Sequence, residues 1–283
     1  MHMNSKPVAL VTGANKGIGL QIAKDLASHG FTVLVGSRDL AKGEVAAKSV
    51  ADDARAIQLD VADQDSISAA ADCVRKEFGR LDVLVNNAGI SHAGAPGRPL
   101  EEIARSGLLP NVSLNEVRTV WETNVFGVIA VTQAMLPLLR DAPAARIVNV
   151  ASGGGSLAWN SDPNNPHRYM FGNYSASKVA VNAVTLGFAF SLEAEGIKVN
   201  SADPGFTATD LNDHQGTGTV EEGAREAVRL ALLGPDGPKP AGRNQQRRLF
   251  RSCGLLPGPN VRQHHFTVVG LCRRRRELRR SSL

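Results

Sequence analysis

A tyrosine and a lysine four residues apart form the sequence feature with the clearest chemistry. Tyr174 and Lys178 belong to the run Tyr-Ser-Ala-Ser-Lys, in a segment whose apolar spacing predicts a helix. A four-residue step places both side chains on one helix face. Because an ammonium group beside a phenol favours the phenolate, we expect Lys178 to lower the pKa of Tyr174 and make it a general acid or base. Ser152, at the end of a predicted strand, supplies a nearby hydroxyl.

A glycine-rich loop near the N-terminus is the second feature. The first predicted strand leads into Thr12-Gly13-Ala14-Asn15-Lys16-Gly17-Ile18-Gly19, after which a helix begins. Glycines let the backbone approach a diphosphate, and free N–H groups at a helix N-terminus attract anions. The spacing is Gly-x3-Gly-x-Gly, not Gly-x-Gly-x-x-Gly, but the strand-loop-helix context favours a nucleotide site over a connecting turn.

The elements that must position these residues alternate along the chain. Strands are predicted at residues 8–11, 31–35, 56–59, 81–85, 146–150 and 197–200, and several are apolar on both faces, as in buried parallel sheets. Helices are predicted at residues 18–28, 40–51, 66–78, 114–139 and 174–195. The alternation predicts an α/β fold, a doubly wound parallel sheet of Rossmann type with helices on both faces in a single domain.

Composition narrows the class of protein further. The 283 residues are 42% hydrophobic and 21% charged, which excludes a disordered chain. We find no apolar run of about 18 residues and no signal-peptide pattern, so we expect a soluble, cytoplasmic protein that does not bind a membrane. Cys73, Cys253 and Cys272 form neither a disulfide framework nor a metal-spaced pair, so we expect no metal site.

Taken together, these residues resemble the short-chain dehydrogenase/reductase family, in its carbonyl-reductase subgroup. The resemblance covers roughly residues 6 to 234. It rests on Thr12-Gly13-x3-Gly17-Ile18-Gly19, Asp60, Asn86-Asn87-Ala88-Gly89, Asn124, Ser152, Tyr174-x3-Lys178, Asn200 and Pro204-Gly205. It implies an NADPH-dependent oxidoreductase that reduces a ketone or aldehyde to an alcohol by hydride transfer, with a small carbonyl or alcohol compound as its substrate.

The resemblance also implies a role for each catalytic residue. Tyr174 would exchange the proton with the substrate oxygen, Lys178 would lower its pKa and hold the nicotinamide ribose, and Ser152 would hydrogen-bond the carbonyl. Asn124 would support a water-linked proton relay to Lys178. The alternative for Asn124 is a polar side chain that is satisfied within its own helix.

The remaining residues would bind the cofactor, NADP(H). The loop residues Gly13, Asn15, Lys16, Gly17, Ile18 and Gly19 would hold the diphosphate. Asp60 and Val61 would border the adenine, and Asn87, Ala88 and Gly89 would line its pocket, unless the latter three form an ordinary turn. Pro204, Gly205 and Thr207 would flank the nicotinamide carboxamide, unless they form a loop with no ligand contact. Tyr174 and Lys178 would also contact the cofactor.

Charge at the end of the second strand predicts which cofactor is used. Ser37 and Arg38 replace the acid typical of NAD-preferring members, and Lys16 adds a second cation. Two cations suit a 2′-phosphate, which Arg can bind through paired hydrogen bonds. We interpret Asp39 as the cap of the following helix. The sequence therefore predicts a preference for NADP(H).

Two segments depart from the family pattern. The segment between Ser152 and Tyr174 is longer than usual and contains Trp159 and Tyr169, which would either form an apolar substrate wall or pack the insertion against the domain. Residues 1–234, the expected dinucleotide-binding catalytic domain, hold 20 Lys+Arg and 25 Asp+Glu, whereas residues 235–283 hold 12 and 2. For this Arg-rich tail, which is atypical of the family, a shifted reading frame or fusion from about residue 239 and a disordered segment are the hypotheses.

Two other function classes stay open alongside the reductase. The same scaffold could serve a catalytically silent NADP-binding regulator, although a regulator would not need Ser152, Tyr174 and Lys178 together. The tail could neutralise nucleic-acid phosphates, but only Phe250 and Phe266 offer stacking there, so we do not expect a nucleic-acid partner. A homodimer, a homotetramer and a monomer are all compatible with the sequence.

Overall fold

A computed structural model of the chain describes residues 6–94 and 98–234. Within these residues, six strands form one parallel sheet in the order β3-β2-β1-β4-β5-β6. The strands are β1 (Val8–Val11), β2 (Thr32–Ser37), β3 (Arg55–Gln58), β4 (Val83–Asn86), β5 (Arg146–Val150) and β6 (Lys198–Ala202). The order reverses between β1 and β4, and ligands of such sheets bind at the carboxyl ends of the strands beside this switch point.

Helices connect the strands and cover the sheet. They are α1 (Gly17–Ser28), α2 (Leu40–Val50), α3 (Gln64–Phe78), α4 (Leu100–Ser106), α5 (Leu114–Trp121), α6 (Gly127–Arg140), α7 (Leu157–Ser161), α8 (Asn173–Ser191) and α9 (Val220–Ala231). A π-helical turn, Glu122–Phe126, joins α5 to α6. Short 3-10 turns lie at Gly153–Gly155, Arg168–Met170, Glu193–Glu195 and Asp210–Asn212.

Two hydrophobic cores lie on opposite faces of the sheet. Successive strand residues alternate between them: Leu10 and Leu84 belong to one core, with Ile67 of α3 and Met135 of α6. Val11 and Val85 belong to the other, which contains side chains of α1, α2 and α9. Because both faces are covered, a strand such as β1 is apolar along its whole length, and the arrangement confirms the prediction of a doubly wound parallel sheet in a single domain.

The structure refines the predicted elements at their ends. Each predicted strand is present, with bounds shifted by at most two residues. The helix predicted over residues 114–139 is interrupted by the π-helical turn, and the helix predicted over 174–195 ends at Ser191. The short helices α4 and α7 were not predicted. The hypotheses about residues 235–283 lie outside the described residues.

Candidate active site

The glycine-rich loop takes the chain from the end of β1 into α1 by a tight path. Gly13 and Gly17 have φ angles of 62° and 56°, in the left-handed region that favours glycine. Gly19 lies so close to its neighbours that a Cβ there would be 2.3 Å from Asn87 Nδ2 and 2.6 Å from Gly13 O. The three loop glycines are therefore required by the backbone conformation and by close packing.

The N-terminus of α1 is left free for an anion. Lys16 is its N-cap residue and makes no side-chain hydrogen bond to the helix, and the first turn contains no acidic residue. By contrast, Asp63, Ser113 and Thr219 accept hydrogen bonds from the first turns of α3, α5 and α9. Uncapped N–H groups beside a glycine loop are suited to a diphosphate, so this site fits a dinucleotide. Asn15 and Ile18 lie partly exposed in the same loop.

The loop after β4 is tied to the glycine-rich loop. Thr12 Oγ1 accepts hydrogen bonds from the backbone N–H groups of Asn87 (3.0 Å) and Ala88 (2.9 Å). Asn87 Nδ2 donates to Thr12 O at 2.9 Å and to Gly13 O at 3.2 Å. These bonds join the two loops at the switch point, so the Asn87 side chain holds the site together. Thr12 was not among the predicted site residues, although its place directly before the glycines could have indicated it.

Ser152, Tyr174 and Lys178 come together at the carboxyl edge of the sheet. Ser152 follows β5 and makes a side-chain hydrogen bond with Tyr174, which lies in the first turn of α8. Lys178 Nζ lies 5.7 Å from the centroid of the Tyr174 ring. Lys178 Nζ also donates to Val150 O at 2.8 Å, and its side chain is buried. The structure therefore brings the three residues into one cluster.

The pKa of Tyr174 shifts in the direction opposite to our expectation. Burial raises it to about 12, the hydrogen bond with Ser152 opposes this rise, and the charge of Asp203 adds to it. Burial also lowers the pKa of Lys178 to about 8. The expectation that Lys178 lowers the Tyr174 pKa is wrong for this structure, because loss of solvation is the largest cause of the shift and Lys178, whose ammonium donates to Val150 O, is not among its causes.

Asn124 lies in the π-helical turn and points toward the loop after β4. Its Oδ1 accepts from Ile90 N at 2.8 Å, and its Nδ2 donates to Ile90 O at 2.9 Å and to Ser177 Oγ at 3.0 Å. A Cβ on Gly89 would lie 3.3 Å from Asn124 Oδ1 and 3.5 Å from Lys178 Nζ. Gly89 thus lies between Asn124 and the lysine. Ser177, within the Tyr-Ser-Ala-Ser-Lys run, was missed as the partner of Asn124.

The residues expected at the adenine end lie after β2 and β3. Ser37 is buried and donates to Asp39 O at 2.8 Å, whereas Arg38 is exposed. Asp39 accepts from Lys42 N at 3.1 Å, which confirms our interpretation of Asp39 as the cap of α2. Asp60 Oδ1 accepts from Ala62 N at 3.0 Å. The buried Val61 packs against Gly127, the first residue of α6.

The loop after β6, residues 203–219, lies beside the glycine-rich loop. Gly205, which follows Pro204, has a φ of 70°, and the buried Thr207 donates to Pro204 O at 2.8 Å. A Cβ on Gly17 would lie 3.7 Å from Thr209 Cγ2. Lys16 Nζ forms an ion pair with Asp210. Thr209 and Asp210 were missed, and no pattern in the sequence indicates that they pack on the glycine-rich loop.

A doubly wound sheet with a glycine-rich loop at its switch point and a Ser-Tyr-Lys cluster at the same edge defines a class of dinucleotide-dependent oxidoreductases. Residues 7–219 match the family model described as short chain dehydrogenase. The chain therefore belongs to the short-chain dehydrogenase/reductase family, whose members bind nicotinamide cofactors and act on small molecules.

Individual relatives agree with this assignment. Short-chain dehydrogenase anuI of Penicillium roqueforti is 39% identical over 240 residues, which cover 81% of this chain and 90% of the relative. Carbonyl reductase [NADPH] 3 of Rattus norvegicus is 34% identical over 275 residues, which cover 83% of this chain and 94% of the relative. The solved structure of salutaridine reductase from Papaver somniferum aligns with a TM-score of 0.69 at 29% identity. The alignment covers 83% of this chain and 98% of the salutaridine reductase chain.

The described part of the chain bears on two other kinds of site, a metal site and a membrane span. Residues 6–94 and 98–234 hold no group of three or more His, Cys, Asp or Glu side chains that could bind a metal ion. By length and composition alone, the run Leu114–Arg140 could cross a membrane, contrary to the expectation of no such run. Half of its most apolar window is buried inside the protein, as in a core helix, so it is weak evidence for a membrane span.

Proposed function

We propose that this protein is an NADPH-dependent carbonyl reductase in which Tyr174 delivers the proton to the substrate oxygen. The observation that carries the proposal is the Ser152-Tyr174-Lys178 cluster at the carboxyl edge of the sheet. It lies at the same edge as the uncapped N-terminus of α1, which suits the diphosphate of a dinucleotide. A silent regulator would have no use for this cluster.

Each member of the cluster has a chemical task in this proposal. A pKa of about 12 keeps Tyr174 protonated at neutral pH, as a proton donor must be. Ser152, which is hydrogen-bonded to the Tyr174 phenol, orients the substrate carbonyl toward that phenol. Lys178 is positioned by Val150 O and supplies positive charge beside the ring. Asn124 fixes the neighbouring backbone of Ile90 and takes part in the proton relay. The nicotinamide cofactor supplies the hydride when it is bound.

Substitution of the phenol tests the mechanism. Tyr174→Phe removes the proton donor and should lower kcat for NADPH oxidation with aldehydes, ketones or quinones by about 10²-fold or more. Tyr169→Phe, which removes the chain's other phenol and keeps the ring, is the matched control and should retain activity. A Tyr174→Phe enzyme that binds NADPH and turns over at the wild-type rate would defeat the proposal.

We infer the NADP preference from the charge at the end of β2. Arg38 is exposed there and is free to reach a 2′-phosphate, and a carboxylate at this position would repel that group. Arg38→Asp should lower kcat/KM for NADPH by at least about tenfold while sparing NADH. Lys48→Asp makes the same charge change on the exposed face of α2 and serves as the control. Equal efficiency of the wild type with NADPH and NADH would contradict this preference.

The segment before Tyr174 bears on the size of the substrate. Trp159 and Tyr169 are 49% and 68% exposed, and Asn165 Nδ2 donates to Trp159 O at 3.2 Å, a bond within the segment. This exposure supports an apolar wall for bulky ketones over a purely packing role. Trp159→Ala should raise KM for a bulky ketone and leave KM for a small aldehyde unchanged. If an enzyme with residues 158–170 shortened reduces bulky ketones as well as the wild type does, this segment does not form a substrate wall.

The cellular setting belongs to the same proposal. We place the enzyme in the cytoplasm, where NADPH favours carbonyl reduction over alcohol oxidation. Its substrate is a small molecule, and the number of subunits does not enter the mechanism.

A further inference from the structure

Lys16, one of the two cations expected to bind a 2′-phosphate, is already engaged by a carboxylate. Its Nζ is paired with Asp210 Oδ2, and His214 Nε2 lies 2.9 Å from the other carboxylate oxygen, Oδ1. The side chains of Lys16 and Asp210 are 64% and 54% exposed, so a ligand from solvent can reach both. The hydrogen bond from Lys16 is the main cause that lowers the pKa of Asp210.

The backbone around Asp210 holds the carboxylate at this position. Ser91 Oγ donates to Leu211 O at 3.0 Å, which ties the loop after β6 to the loop after β4. Thr209 and Asn212 form a capping box around the 3-10 turn Asp210–Asn212. Asp213 and His214 then have φ angles of 52° and 56°, an unusual conformation for two consecutive residues that are not glycine. The turn is therefore specifically built, and its first residue is directed at Lys16.

From this arrangement, and resting on the NADP preference proposed above, we propose that Asp210 sets the affinity for the 2′-phosphate by competing with it for Lys16. The ammonium of Lys16 carries three N–H donors, and in this proposal it turns from the Asp210 carboxylate to the phosphate when the nucleotide binds. Binding of a 2′-phosphate must therefore break the ion pair with Asp210. The free energy of that pair is subtracted from the free energy of binding.

The competition applies to one class of ligand. A nucleotide without a 2′-phosphate does not need the Lys16 ammonium and leaves the ion pair in place. Asp210 therefore narrows the difference in affinity between nucleotides with and without that phosphate. Arg38 is exposed after β2 and is not engaged by Asp210, which pairs with Lys16.

Isothermal titration calorimetry with two nucleotides tests the proposal without turnover. The probes are adenosine 2′,5′-bisphosphate and adenosine 5′-monophosphate, which differ in the 2′-phosphate alone. In Asp210→Asn, the bisphosphate should bind about two- to fivefold tighter than in the wild type, as expected for release from an exposed ion pair. The monophosphate should bind unchanged. Asp213→Asn, the same substitution three residues further along, removes a carboxylate that forms no ion pair with any described residue and should change neither affinity.

A double-mutant cycle with Lys16→Met separates competition for Lys16 from plain repulsion of the phosphate. If Asp210 acts through Lys16, the gain from Asp210→Asn disappears in the Lys16→Met background. A gain that persists there, or no gain in Asp210→Asn alone, overturns this inference. The proposed function fails separately: the wild type would then bind both nucleotides equally, and Lys16→Met and Arg38→Asp would have no effect.

Discussion

Lys178 is a buried cation whose solvation is lost on folding, and this loss makes stability depend on pH. Burial lowers its pKa to about 8, against 10.5 in an exposed lysine. Between these two values the unfolded chain binds more protons than the folded chain, so the free energy of unfolding rises with pH. The cost of burying the charge is greatest below pH 8. From pH 7 to pH 9 we expect the ligand-free protein to gain about 1 kcal/mol from this residue.

Urea unfolding of the wild type and of Lys178→Met at pH 7 and pH 9 measures this contribution. The methionine variant has no ammonium, so the gain assigned to Lys178 should be missing from it. The same rise with pH in both proteins would show that other groups cause it. Above pH 10, Tyr174 acts in the opposite direction, because its raised pKa makes the folded state hold its proton longer than the unfolded state does.

Gly19 is the loop glycine with the least room for a side chain. In Gly19→Ala the new Cβ would meet Asn87 Nδ2 and Gly13 O, so the loops after β1 and β4 must separate. We expect a loss of about 1 to 3 kcal/mol of stability and weaker NADPH binding by at least about tenfold. Fluorescence titration with NADPH, together with thermal unfolding, checks both effects.

Gly187 is the matched control for that substitution. It lies exposed in α8, and a Cβ there would meet nothing within 4 Å. Gly187→Ala should therefore stabilise the protein by about 0.5 to 1 kcal/mol and leave NADPH binding intact. Equal effects of the two substitutions would show that packing around Gly19 is looser than the structure indicates.

The π-helical turn is the element that the sequence could not predict. Apolar spacing over residues 114–139 indicates one continuous helix, because a π-helical turn leaves most of that spacing intact. The turn nevertheless directs Asn124 to the backbone of Ile90 and to Ser177, near the catalytic lysine. Asn124 could be predicted as a candidate from its residue type. The backbone geometry that brings its side chain near Lys178 could not be predicted.

Removal of the Asn124 amide should be costly. Asn124→Ala removes a buried side chain and leaves the partly buried Ile90 N–H without its acceptor, and we expect a loss of about 1 to 3 kcal/mol in chemical denaturation. Asn115→Ala removes an exposed amide from α5, in the same helical run, and should change stability by no more than about 0.5 kcal/mol. A small effect at Asn124 would mean that its bonds to Ile90 are replaced by water.

At the scale of the whole molecule, the sheet was predictable and the contacts between loops were not. Strands such as β1 and β4 are buried along their full length, and this burial produces the continuous apolar runs seen in the sequence. Parallel strands joined by helices then place the residues after each strand at one edge. The Lys16-Asp210 pair joins residues 194 positions apart through two irregular loops, where no periodicity exists to predict it.

A row of polar side chains crosses the sheet inside one of its cores. Asn86, Asn149 and Ser201 occupy matching positions on β4, β5 and β6. Asn86 Nδ2 donates to Asn149 Oδ1 at 2.9 Å, and Asn149 Nδ2 donates to Thr185 Oγ1 of α8 at 2.8 Å. This chain of buried hydrogen bonds fixes α8, and with it Tyr174, relative to three strands.

Thr185→Val interrupts that row without changing the volume of the side chain. Asn149 Nδ2 loses its acceptor in a buried place, so we expect a loss of about 1 to 3 kcal/mol of stability in urea unfolding. Thr119→Val is the control, since Thr119 is exposed and likewise donates to the carbonyl four residues before it. Equal unfolding midpoints for the two variants would contradict a role of the row in holding α8.

The missing cap of α1 has a consequence for the life of the protein in a cell. A side-chain cap stabilises a helix N-terminus by about 1 kcal/mol, and α1 lacks this stabilisation. A diphosphate bound at the same N–H groups would provide a comparable stabilisation. A ligand that binds only the folded chain protects it by RT ln(1 + [L]/Kd). Resistance to proteases should therefore follow the concentration of the dinucleotide, and a starved cell would clear the empty enzyme first.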